Sequence, residues 1–294
     1  MKKNCIICIL CVAFLLNGNL IMAQTAMTNS EKEVRTQRSR VLPFGADWAK
    51  KKGIELPSPF GISTFFTSMA RGVDVTDVTV ELNNREPESI SEFASFAVKN
   101  QTYVSAVRFD AWILPMVNVY ALAGYAWTDS KMNVDFTLDR QVLPLPPVEM
   151  NLQTSTMVKG PYTGIGTTVV AGYKSWFILG DANYGLTWAD LLNNSINFTM
   201  LSLRSGFSGK MGGKSTIRGW LGTMYMNSKC TLEIKASQED IGQVMVRVEQ
   251  QPVNPWTLQC GFMVGVGKNL EFMTELGSNF DDASIFVLTA SYRL

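Results

Sequence analysis

Between residues 162 and 188, apolar and polar side chains alternate with a period of two, the spacing of a β-strand. The runs TGIGTTVVAGY and WFILGDANYGLTW flank Lys174 and Ser175, which suit a two-residue hairpin turn. That turn pairs Tyr173 with Trp176, Ala171 with Ile178, Val169 with Gly180, Thr167 with Ala182, Ile165 with Tyr184 and Thr163 with Leu186, all on one face. Aromatic side chains begin and end this face, and small or aliphatic ones fill its middle, the profile of a strand that crosses a bilayer. The other face carries Asp181 and Asn183, which are costly against hydrocarbon and tolerable in a barrel lumen.

The alternation recurs at about 60–69, 101–113, 117–127, 161–173, 176–188, 195–207, 215–226, 256–266, 270–278 and 284–294. These segments predict an all-β fold, an antiparallel transmembrane β-barrel of about ten strands, with twelve as the alternative count. The connections at 114–116, 174–175, 208–214 and 267–269 are short, and those at 70–100, 128–160, 189–194, 227–255 and 279–283 are longer on average. Short periplasmic turns and long outer loops follow, with both termini in the periplasm. The long loops hold alternating pieces of their own (73–82, 131–138, 231–235, 243–249), so some strands are expected to project beyond the membrane. The same registers put Arg108, Asp110, Asp181, Arg204 (through a bulge), Arg218, Glu271, Glu275 and Arg293 in the lumen. Four positive and four negative groups in a narrow barrel read more simply as an ion-pair network than as a selectivity filter of one sign. Trp127, Tyr184, Trp188, Tyr225 and Trp256 near the outer strand ends, with Tyr173, Trp176 and Tyr292 near the inner ends, read as interfacial girdles.

The N-terminus supplies an address. Lys2 and Lys3 precede an uncharged apolar run from Cys5 to Leu16, and Ala23 offers a cleavage site, so residues 1–23 read as a secretory signal peptide. Loss of Lys2 and Lys3 leaves 24 Lys+Arg against 25 Asp+Glu, a balance that excludes a basic nucleic-acid-binding surface. Three of the five cysteines leave as well, and the register sets Cys260 on the lipid side and Cys230 in a loop. No later run of eighteen strongly apolar residues occurs; the nearest, 111–128, is broken by Pro115 and Asn118. Residues 24–57 read as a periplasmic lead-in or plug, with one short helix over 47–52 capped by Asp47 and stopped by Gly53. Residues 58–294 are the barrel.

Candidate chemistry is sparse. Histidine is absent, which removes the usual base of hydrolases. Glu271 and Glu275 share a strand face at about 13 Å, too far apart for a glycosidase pair. The stretch 208–215 (SGKMGGKS) ends like a phosphate loop, but Ser208 replaces its first glycine and barrel strands flank it. The glycines at 164, 166 and 261–267 lack the strand-to-helix context of a dinucleotide site and read as relief of barrel curvature. No catalytic, cofactor or metal set emerges.

The final strand, SIFVLTASYRL over 284–294, alternates Phe286, Leu288, Ala290, Tyr292 and Leu294 to the last residue. It resembles the C-terminal assembly signal of Gram-negative outer-membrane β-barrel proteins, with Leu294 in place of the usual terminal aromatic. The resemblance implies residence in the outer membrane, contact with its lipids and insertion by the barrel-assembly machinery through residues 284–294. Two functions are expected from the sequence: a narrow, porin-like channel or transport barrel that takes a small-molecule ligand in its lumen, or a closed structural barrel whose long outer loops bind partners.

Overall fold

The computed structural model describes residues 42–51, 56, 58–82, 88–89, 94–137, 149–189, 195–212, 215–238, 242–267 and 269–294. Residues 1–23, expected to be a signal peptide, residues 24–41 and the proline-rich 143–147 lie outside them. After a helix α1 (Ala46–Lys51), the described chain is antiparallel sheet. Its strands are β1 (Phe60–Leu82), β2 (Glu88–Ser89), β3 (Ala94–Leu114), β4 (Val117–Thr137), β5 (Glu149–Tyr173), β6 (Trp176–Thr187), β7 (Ile196–Lys210), β8 (Thr216–Gln238), β9 (Gly242–Pro252), β10 (Trp256–Val266), β11 (Leu270–Ser278) and β12 (Ser284–Arg293).

Ten of these strands close a ring. Each pairs with the next in sequence, β8 pairs with β10, and β12 returns to β1. The two others stay out of the ring: β2 adds two residues to β1, and β9 bridges the distal parts of β1 and β8. The barrel is therefore ten-stranded, and the alternative of twelve counts strands that belong to the sheet but not to its closed part.

The β5–β6 hairpin has the register its alternation dictates, from Tyr173↔Trp176 through Thr163↔Leu186. Lys174 occupies the left-handed region at φ 55°, as a two-residue hairpin requires. Strands β1, β3, β4, β5 and β8 run well past the predicted limits and take up much of what read as loop. Cys230 is one such position: it stands in β8 opposite Gln250 on β9, not in a loop.

Solvent exposure is inverted relative to a soluble protein. Ile165, Val169, Leu203, Leu221, Leu258, Phe262 and Leu288 all point outward and are exposed, while Asp110, Asn118, Thr257 and Glu275 are buried inside. A surface of this kind is stable only against hydrocarbon. At its edges stand Trp176 and Phe207 with ring centroids 3.8 Å apart, and Tyr225 edge-on to Trp256 at 5.1 Å. Among the described residues no helix is long and apolar enough to cross a membrane.

The N-terminal segment meets the end of the ring that carries the short turns, here called the base. Phe44 N–H donates to the Ile113 carbonyl at 2.9 Å, and Ala49 is completely buried. The helix begins at Ala46, one residue before the expected cap, so Asp47 lies in its first turn, where its charge favours the helix dipole.

Candidate functional site

The lumen is built of stacked tiers, and its lowest is a charged belt. All eight predicted residues face inward, because they occupy the alternate positions opposite the lipid-facing set. Arg204 does so without the expected bulge: β7 keeps one register across its pairing with β6 and β8. Ser205, the polar residue that breaks the apolar pattern, faces lipid and donates to the Phe177 carbonyl at 3.4 Å.

One half of the belt is a relay across five strands. Arg293 on β12 pairs with Asp110 on β3. Asn118 on β4 donates to Asp110 Oδ1 at 2.7 Å and accepts from Arg108 Nη2 at 2.8 Å. The Arg108 guanidinium lies 3.7 Å from the Tyr120 ring centroid, a cation–π contact. Tyr120 O–H donates to Asp181 Oδ1 at 2.8 Å, and Thr168 Oγ1 donates to Asp181 Oδ2 at 2.6 Å.

The other half spans the lumen. Arg204 Nε and Nη2 donate to Glu275 Oε2 and Oε1 at 2.6 and 2.9 Å, a bidentate fork between β7 and β11. Trp220 Nε1 adds a third donor to Glu275 Oε2 at 2.7 Å, and Ser202 Oγ accepts from Arg204 Nη1 at 2.9 Å. Nearer the base, Arg218 pairs with Glu271 at 3.5 Å. Glycine makes room for the two aromatic members. A Cβ on Gly166 would stand 2.3 Å from the Tyr120 ring, and one on Gly261 2.4 Å from the Trp220 ring. The glycines that read as curvature relief thus also seat belt residues. Tyr120, Asn118 and Trp220 were not among the predicted site residues, since nothing marks an inward tyrosine or tryptophan except the glycine across the ladder.

Above the belt the lumen turns apolar. Tyr162 stacks on Phe198 at 5.3 Å within a cluster containing Ala106, Leu122, Ala126, Phe65 and Val104. Beside it Met224, Met226 and Ile285 pack with Met69, Met200 and Val287.

At the outer end, where β12 stops and β9 takes its place beside β1, polar side chains return. Arg71 is buried there, with Nη1 donating to the Met226 carbonyl at 3.0 Å. The sequence reading missed it, because Arg71 fell within the connection assigned to 70–100. The predicted girdle residues all face outward; Tyr173, Trp176, Tyr184, Trp188, Trp256 and Tyr292 are exposed, and Trp127 and Tyr225 half-buried.

Among the described residues no group of three or more His, Cys, Asp or Glu is placed to hold a metal ion. Of the phosphate-loop-like stretch, residues 208–210 end β7 and Ser215 directly precedes β8, while residues 213 and 214 lie outside the described residues.

No protein-family profile matches the chain, and no curated protein does. Solved structures resemble it in fold at low identity. The outer membrane protein OprG from Pseudomonas aeruginosa matches at 12% identity and a TM-score of 0.38, over 82% of this chain and all of that one. The translocator domain of the autotransporter NalP from Neisseria meningitidis matches at 9% and 0.35, over 84% and 93%. A Pseudomonas aeruginosa FadL homologue matches at 7% and 0.31, over 79% and 90%. These neighbours are Gram-negative outer-membrane β-barrels, and likeness at this level carries no argument about what the chain does.

Proposed function

We propose that this outer-membrane β-barrel admits a small solute to its lumen from the outer side, and that the charged belt seals the base at rest. The observation that carries this reading is the chemistry of the seal. Glu275 and Asp110 are buried, and each is held by an arginine from a distant strand and by a neutral donor. Apolar side chains of the same volume would hold a closed interior together as well or better, because burying an ion pair forfeits hydration that its attraction only partly restores. Ion pairs, unlike a hydrocarbon plug, exchange partners: a solute or a shift of the N-terminal segment breaks one set and water completes the other. That segment is docked at the base through Phe44 and Ile113, next to the belt.

Planar-bilayer conductance tests the proposal. The mature wild-type chain is expected to be silent, and the double variant Arg204→Gln, Glu275→Gln, or deletion of residues 24–57, to conduct. If every form stays silent and no small solute shifts thermal unfolding, the lumen is only a core. The reading that then stands is a surface-interaction barrel, supported by the sheet of β1, β3, β4, β5, β8 and β9 that continues beyond the girdles.

A further inference from the structure

Arg71 is the unusual residue of the lumen. It is 4% exposed, and although Nη1 is engaged by the Met226 carbonyl, Nε and Nη2 have no partner. These two atoms form one edge of the guanidinium, the same edge with which Arg204 grips both oxygens of Glu275. A buried guanidinium with that fork empty is costly, since unmet donors lose their hydration and gain nothing. The nearest carboxylate does not fill it. Asp282 acts on Arg71 through space, but its Oδ2 accepts from Gly72 N–H at 3.1 Å and its Oδ1 from the Asn279 amide.

Other unmet polar atoms occupy the same tier. Ala70 pairs with Ser284, Ser284 with Ser278, Ser278 with Leu258 and Leu258 with Thr223. One residue further out, Arg71, Thr257 and Met224 therefore follow a single row around the wall. Thr257 Oγ1 is buried without a partner. Gln259 hooks the Met224 sulfur through Nε2 at 3.4 Å and leaves Oε1 unmet. Asn100, the ladder partner of Arg71, has an unmet Oδ1. Donors and acceptors are both orphaned, beside the apolar wall of Met69, Met224, Met226 and Ile285.

We propose that this tier is a binding site for a small carboxylate that carries its own hydrogen-bond donor next to the carboxyl group, such as a hydroxy acid or an amino acid. The carboxylate takes the Nε and Nη2 edge of Arg71, with the Thr257 hydroxyl as a further donor. The adjacent O–H or N–H group donates to Gln259 Oε1 or Asn100 Oδ1, and a short alkyl body lies on the methionines. The site names the solute class for the lumen of the proposed gated barrel and rests on that reading.

Titration calorimetry on the mature protein in detergent micelles tests it with lactate, alanine, lactamide and acetate as probes. Lactate or alanine is expected to bind, and which of them binds tighter tells hydroxyl from ammonium. Lactamide, with the same shape and no charge, should bind at least about tenfold more weakly, the loss of a charge-assisted pair. Acetate, which has no adjacent donor, should be weaker by several fold. Arg71→Gln should abolish the preference for lactate over lactamide, and Thr257→Val, which leaves the Arg71 strut in place, should weaken lactate several fold. Equal affinity for lactate and lactamide, or no binding of either acid, overturns the proposal and leaves Arg71 as a strut to Met226. Binding needs no conductance, so a barrel that binds acid but never conducts keeps the site and loses the gate, and the converse result keeps the gate and loses the site.

Discussion

The belt and the outer tier are both rings of polar side chains inside the same barrel, and they are finished to different degrees. In the belt, Glu275 receives three hydrogen bonds, and Asp110 and Asp181 are each held by two or more groups. In the outer tier, Arg71, Thr257 and Gln259 are as deeply buried, and each keeps at least one polar atom unmet. Burial alone does not separate the two. What separates them is the partner of the charged group: in the belt Asn183 Oδ1 and Trp112 Nε1 are also unmet, but each buried carboxylate is held by the chain, whereas in the outer tier the charged group itself, Arg71, keeps Nε and Nη2 unmet.

Removing a belt partner has the largest expected effect. Glu275→Gln leaves the guanidinium of Arg204 buried without its counter-charge, and loss of one member of a buried pair costs about 3–5 kcal/mol. Reversible urea unfolding in lipid or detergent should show that loss. A change below about 1 kcal/mol would mean that the pair is hydrated and that the belt is no more complete than the outer tier.

The next effect checks which face is lumen at all. Arg in place of Val169 or Ile178, both outward and exposed, should cost about 2–4 kcal/mol at the bilayer midplane, and Asn183→Arg, beside Asp181 on the inner face, should cost less. Equal losses on the two faces would invert or erase the tiers.

A single neutral donor in the belt comes third. Tyr120→Phe removes one hydrogen bond to Asp181 and leaves those from Thr168 and Asn183. The expected loss is about 1.5–3 kcal/mol, as for a bond to a charged acceptor. No loss would show that the relay from Arg293 to Asp181 is not continuous.

The sequence made the belt more legible than the outer tier, and the reason is periodicity. Through β5 and β6 the alternation is unbroken, so the positions of Asp181 and its lipid-facing neighbours follow from counting in twos. In β1 the pairing with β9 shifts between Val75 and Asp77. The irregularity disturbs the alternation just beyond Arg71, and the run reads as a loop. Asp110 and Arg293 could each be placed inward, but their pairing could not be foreseen: they are 183 residues apart and meet only because β12 closes on β1 and β1 on β3. Register within a hairpin is local information; closure of a ring is not. The unmet atoms of the outer tier are less legible still, because an orphan is defined by what every neighbouring strand fails to offer.

The smallest expected effect is the most discriminating. Thr257→Val removes a hydroxyl that is buried and has no partner, and its own carbonyl, which accepts from Thr223 Oγ1 at 3.2 Å, is untouched. In the absence of solute the substitution should be neutral or slightly stabilising, within about 1 kcal/mol, because an unmet polar group is exchanged for a methyl of nearly the same shape. A belt hydroxyl of the same type behaves oppositely: Thr168→Val takes a donor from Asp181 and should destabilise. With lactate present the outer-tier variant should lose the stabilisation that the wild type gains, since only a ligand that binds the folded state raises its unfolding midpoint. A Thr257→Val protein that is markedly less stable without any solute would mean that its hydroxyl already has a partner. The outer tier would then be as complete as the belt, and the contrast between them would disappear.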